Sequence, residues 1–159
     1  MTIWAALAGG FLGTIVLTTM LQACSELGLT RMDIPFLLGT AFTEDRTRAR
    51  ALGYALHAFA GLAFAVVYFA IFSAIGENGW LIGALFGLVH ALFASTTLVS
   101  ILLPAIHPRM GTTLTAAPQV ALLEPPGFMM RNYGLATPLV TIVAHIVYGA
   151  IVGGFVALS

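Results

Sequence analysis

Polar and apolar positions sort along this chain into four long apolar runs and the segments that join them. The runs cover about 3–24, 51–75, 80–103 and 135–158, and none contains Asp, Glu, Lys or Arg. Each has the roughly 20 residues that a helix rising about 1.5 Å per residue needs to cross bilayer hydrocarbon. The runs are continuous rather than alternating, unlike the strands of a membrane barrel. The pattern predicts an all-α protein, an integral membrane four-helix bundle forming a single domain over residues 1–159.

Composition narrows the alternatives. Residues are 60% hydrophobic and 8% charged, and mean hydropathy is +1.02. Soluble domains carry about 25% charged residues, so a water-soluble fold is excluded, and the apolar content excludes disorder. Net charge is zero and lysine is absent, which leaves no basic stripe for nucleic acid. Cys24 is the single cysteine, so there is no disulfide framework.

Arginine positions give an orientation. Arg31, Arg46, Arg48 and Arg50 lie between the first two runs, and Arg109 and Arg131 between the last two. With an even number of crossings both loops share one side, which the positive-inside rule makes cytoplasmic. Both termini are then expected on the outer side. Leu21-Gln22-Ala23-Cys24 faintly resembles a lipoprotein cleavage box. The uncharged stretch before it and its near-spanning length favour a retained helix.

The two cytoplasmic loops, about 25 and 30 residues long, exceed the roughly 12–15 residues beyond which loops are usually functional or disordered. In the first, Asp33 can cap a short helix, Pro35 suits its first turn and Gly39 can end it. Such a piece would lie at the membrane surface or plug the bundle mouth. Thr43-Glu44-Asp45-Arg46 reads as a second cap followed by acids, with Glu44 and Arg48 paired at i,i+4. In the second loop, His107, Arg109, Glu124, Asn132 and Tyr133 stand among prolines and glycines. That loop is either shaped to dock a ligand or partner, or is an interfacial connector.

Gly79, Gly83 and Gly87 form two small-xxx-small steps, which serve either a homo-oligomer seam or contact inside the bundle. Three histidines, His57, His90 and His145, fall inside the apolar runs, where ionisable groups are costly and mark candidate sites. Arg50, His57, Gly61, Phe64 and Tyr68 recur at spacings of 7, 4, 3 and 4, one helical face. Counted from the inner ends at about 1.5 Å per residue, His57 lies ~9 Å deep, His145 ~14 Å and His90 ~20 Å. His57 and His145 are therefore the expected pair, and a compact metal site with His90 looks strained. The pair could hold haem b, with glycines making room for the macrocycle and Arg50 near the propionates, or a transition metal. Alternatively His57, His145, Gln22 and Tyr68 line a polar path, or each imidazole is packing glue. His107 with Met110 is a possible soft-metal pair or a surface residue, and Cys24 a small buried one.

Met32-Asp33-Ile34-Pro35, Leu38-Gly39-Thr40 and Phe42-Thr43-Glu44-Asp45-Arg46 resemble the first loop of an uncharacterised family of small bacterial four-helix inner-membrane proteins. The similarity continues through Leu56-His57, His107-Pro108-Arg109-Met110, Glu124-Pro125-Pro126-Gly127-Phe128, Asn132-Tyr133-Gly134 and His145 with Tyr148-Gly149. The resemblance implies a four-helix fold in a bacterial inner membrane and carries no activity. The reading that results is a non-enzymatic binding or accessory component, possible in a larger membrane complex, with a histidine-containing cavity capped by the loops. A haem or metal redox protein and an oligomeric channel or transporter are the alternatives.

Overall fold

Helix α1, Ile3–Glu26, begins where the Thr2 hydroxyl accepts the Ala5 N–H, at 3.2 Å. It ends at Gly28, whose φ of 74° is the left-handed turn that glycine adopts freely. The Leu29 N–H then reaches back to the Cys24 carbonyl. In the computed structural model, which describes residues 1–111 and 123–159, five further α-helices follow. They are α2 (Ile34–Thr40), α3 (Arg46–Ile75), α4 (Trp80–Phe93), α5 (Leu103–Ile106) and α6 (Thr137–Ala157). A π-helical stretch, Ala94–Leu102, joins α4 to α5, and a 3₁₀ segment, Phe128–Tyr133, precedes α6. No β-strand occurs among the described residues. The four helices long and apolar enough to cross a membrane are Ile3–Glu26, Arg46–Ile75, Trp80–Ile106 and Thr137–Ala157.

The loop helix α2 forms as its sequence predicts, with the Asp33 carboxylate accepting the Phe36 N–H at 3.0 Å and Pro35 in the first turn. The second cap differs from expectation. Asp45, not Thr43, accepts the Arg48 N–H at 2.7 Å, so α3 starts at Arg46 and Glu44 stays outside it. Glu44 instead meets Arg109, at 3.4 Å. Arg46 and Arg50 lie over the Phe36 ring at 5.5 and 6.0 Å, covering α2 from the water side.

Neighbour relations order the long helices as α3, α1, α6, α4. The α4–α6 and α2–α3 pairs approach backbone to backbone. A Cβ on Gly83 would strike the Gly149 carbonyl, and one on Gly87 would strike the His145 carbonyl. A Cβ on Gly53 would likewise strike Pro35, and one on Gly39 would strike Ala49. The face carrying Gly79, Gly83 and Gly87, weighed above as a seam between copies, is thus occupied by α6 of the same chain. By contrast α3 and α4, though joined by the short Gly76–Gly79 turn, do not pack as a backbone pair. Aromatic rings bridge them: Phe64 stacks on His90 with centroids 3.8 Å apart, and Phe72 meets Phe86 edge-on at 5.7 Å.

The chain ends lie together, the Met1 ammonium donating to the Ser159 carbonyl at 2.7 Å. The Gly76–Gly79 turn is at the same end, because Gly79 abuts Gly153 near the end of α6. The described residues of both long loops are at the other end.

Replacing Gly149 by Val should destabilise the bundle by about 1–3 kcal/mol through overpacking. Gly154→Ala, whose Cβ would meet only the Trp80 Cβ at 3.9 Å, should stay within about 0.5 kcal/mol. Thermal unfolding in mild detergent compares them, and equal midpoints would contradict the α4–α6 contact.

Candidate functional site

Between α3 and the π stretch lies a cavity of about 270 Å³, lined almost wholly by apolar atoms. Its polar lining consists of His57 from α3, His90 from α4, Thr141, His145 and Tyr148 from α6, and Thr14 from α1. The three histidines of the apolar runs therefore share one cavity. His90 and His145 meet edge-on with centroids 4.7 Å apart, because the glycine contact draws α4 onto α6 and removes the depth difference counted on straight helices. Among the described residues His57 makes no ring contact with either.

Hydrogen-bond accounting orients the rings. Thr18 Oγ1 donates its proton to the Thr14 carbonyl at 2.7 Å. His57 Nδ1, 3.1 Å from that oxygen, must then be the donor between them. His145 Nδ1 is 2.8 Å from the Thr141 carbonyl and must donate as well. In the uncharged ring this leaves Nε2 of both as acceptors without partners among the described residues. The Tyr68 hydroxyl is 3.5 Å from His90 Nδ1, and the Tyr148 hydroxyl donates to the Gly61 carbonyl at 2.5 Å. Thr141 Oγ1 is fully buried with no partner among the described residues, although most buried hydroxyls have one.

Several features assigned to a haem site lie elsewhere. Arg50 pairs with Asp33 at 3.5 Å on an exposed face, outside the cavity lining. The Gly61 Cβ direction is filled by the Thr14 side chain, and that of Gly149 by the Gly83 and Gly87 backbones. Neither glycine makes room for a macrocycle, so the residues present do not fit haem b. Among the described residues no three His, Cys, Asp or Glu side chains gather as metal ligands, so His57, His90 and His145 do not form such a group. Tyr68 packs edge-on against Phe72, Phe86 and Tyr148. Gln22 bonds Tyr54 in a second, more polar groove with Arg50, Asp33 and Thr18, and the Thr18 hydroxyl is the one that meets His57 Nδ1. Cys24 is half-buried.

The loop residues form the cap of the cavity. His107, expected at the surface or beside Met110 as a metal ligand, is buried. Its Nδ1 accepts the Arg109 N–H at 3.1 Å and its Nε2 donates to the Leu37 carbonyl at 3.0 Å. Both ring nitrogens are thereby committed to the backbone, tying α2 to the end of α5. Arg109 adds a bond to the Thr40 carbonyl at 2.6 Å. On the other side Arg31 bonds the Asn132 carbonyl and the Glu124 carboxylate, the latter at 3.1 Å. Asn132 donates to Pro125 at 2.9 Å and Tyr133 to the Glu124 carbonyl at 2.7 Å. These bonds seat Met32 and Met130, both almost fully buried, over the loop end of the cavity. Sequence reading missed the π stretch, whose Ala94, Leu98, Val99 and Leu102 form one wall. Its signal was the hydroxyl cluster: Thr96 bonds the Leu92 carbonyl at 2.6 Å and Ser100 the Ser95 carbonyl at 2.5 Å. Such bonds compete with helical ladders, and π segments recur at functional sites.

No protein-family model, no curated protein and no solved structure matches the chain.

Burial, reinforced by the Glu124 carboxylate and opposed by Arg31, pushes the Tyr133 hydroxyl up to about 12 from the usual 10.0. Its contribution to stability is complete below pH 10 and is lost as pH rises towards 12, because the unfolded chain releases the proton first. Tyr133→Phe should cost about 1 kcal/mol near pH 8 for the lost hydrogen bond. The gap to wild type should narrow between pH 10 and 12. Thermal midpoints measured across that range check it, and a constant gap would refute the assignment.

Proposed function

We propose that this chain is a multi-pass membrane protein, non-enzymatic, that holds a small, largely apolar molecule in the capped histidine cavity. The observation that carries the reading is the cavity itself. It is apolar, roughly the size of the smallest ligand pockets, and has a few convergent polar atoms. Four helices of spanning length supply the membrane context, since cavities between helices of a bundle are a common ligand site. The arginines at the loop end favour a cytoplasmic cap with both termini outside. The loop motifs fit membership of the bacterial inner-membrane family they resemble.

Two experiments test this. In a Cys24→Ser background, Glu77→Cys should react with an impermeant maleimide on intact spheroplasts, and Thr47→Cys only after permeabilisation. The reverse pattern would overturn the orientation, and release of the protein by alkaline carbonate would overturn insertion. In lipid nanodiscs an uncharged environment-sensitive dye should bind saturably, one per chain. Leu98→Trp, which fills the cavity from the π wall, should abolish that binding while leaving the thermal midpoint within a few degrees. Dye uptake that never saturates would sink the binding reading.

A further inference from the structure

The cavity is closed at the loop end and open at the side. Met32 and Met130, 2% and 1% exposed, seal it beneath the cap. Its lateral rim is formed instead by Leu102 and Ile106, 48% and 68% exposed. The rim lies along the edge where α3 and the π stretch do not pack on one another. Everything at this rim is hydrocarbon, and in the proposed orientation it faces acyl chains rather than water. An apolar molecule dissolved in the bilayer reaches the cavity without crossing an aqueous phase, whereas a solute from water would have to displace the cap.

The polar atoms inside state what the occupant carries. His145 Nε2 and His57 Nε2 are acceptors, their Nδ1 positions being committed to Thr141 O and Thr18 Oγ1. Thr141 Oγ1 is fully buried and out of contact with anything held in the cavity. A hydroxyl group has a proton to donate, so it can satisfy an imidazole nitrogen. A carboxylate, an ether or a quinone carbonyl only accepts and leaves the imidazole lone pairs unmet. At about 270 Å³, near the lower end for ligand pockets, the cavity admits only part of a lipid-sized molecule. That is a ring or the head of a chain, with the remainder trailing through the rim.

We propose that the cavity takes a hydroxyl-bearing membrane amphiphile, which slides in sideways between α3 and the π stretch and donates its hydroxyl proton to His145 Nε2. This rests on the binding reading above and adds the ligand's chemistry and its route. A long-chain alcohol and an alkyl hydroquinone share that chemistry.

Dye displacement in phosphatidylcholine nanodiscs tests the ligand class, with probes dosed by mole fraction of lipid. 1-Dodecanol should displace the dye at least tenfold more effectively than dodecyl methyl ether, because a site built for a hydroxyl leaves its own groups unpaired with the analogue. Decylhydroquinone serves as the second arm. Whichever of it and 1-dodecanol acts at lower mole fraction identifies the source, and either result supports the class. His145→Phe should erase most of the alcohol–ether difference, read as the ratio of the two displacement midpoints on that variant. The route is read by a dodecanol carrying a mid-chain diazirine, which should label peptides containing Leu102 and Ile106 and spare those with Met32 and Met130. Equal displacement by alcohol and ether would overturn the ligand class while leaving the cavity's binding role intact. Labelling concentrated on the cap would overturn the lateral route. Saturable dye binding that neither hydroxyl probe displaces would overturn the proposal outright, and absence of dye binding would remove the underlying reading with it.

Discussion

The contact of α4 with α6 through bare backbone sets the geometry of everything else. Gly83 and Gly87 face Gly149, His145 and Ile146 so closely that a single added methyl group has no place. Between apolar helices in lipid there is little hydrophobic drive to associate, so dispersion across such close surfaces supplies the attraction. Drawing α4 onto α6 has a consequence on its opposite flank. With α3 held by α1 and α2, the space between α3 and the helix after the turn is spanned by rings near the turn and by nothing farther along. The cavity is what that asymmetry leaves.

Within the cavity, polar groups are placed by local rules. Thr14 and Thr18 spend their protons on carbonyls four residues back, at 2.7 Å each, which obliges His57 to donate rather than accept. His145 uses the same i−4 carbonyl device on α6. Each imidazole is thus fixed in tautomer by a bond on its Nδ1 side, leaving its Nε2 lone pair without a partner among the described residues. A purely structural histidine pair would satisfy both nitrogens inside the protein, as His107 does in the cap. His107 and His57 thus differ in how many of their ring nitrogens the described residues satisfy.

The four long helices were legible in the sequence because uninterrupted apolar runs have one dominant solution, and α2 because Asp33, Pro35 and Gly39 stand at cap, first turn and end. The start of α3 was misread by two residues, since Thr43 and Asp45 are both good caps and only the bond to Arg48 decides between them. That shift moved Glu44 out of the helix and freed it for Arg109, a long-range partner no local pattern encodes. The face carrying His57, Gly61 and Phe64 was legible from spacing and does line the cavity. The pairing of His90 with His145 was not, because depth counted along straight helices ignores how far glycine contact lets two helices slide together. Arg50 and Tyr68 lie on the same helical face yet miss the cavity, one turned to Asp33 and the other to an aromatic cluster. A helical face extends over more length than a site does.

The cap shows why the two openings of such a cavity are not equivalent. Met129 and Met130 occupy the left-handed region, with φ of 51° and 59°, a conformation that costs about 1–2 kcal/mol per residue in chains of L-amino acids. Strain of this kind persists only where surrounding bonds over-determine it. Here the Met130 N–H reaches Gly127 O at 3.1 Å, the Asn132 N–H reaches Pro126 O at 3.1 Å, and the Arg31 N–H holds Tyr133 O at 2.7 Å. Opening the cap would break these bonds together, because releasing one frees the strain that the others must then hold. At the lateral edge no backbone hydrogen bond among the described residues joins α3 to the π stretch, so the two sides of the cavity are held by different kinds of contact.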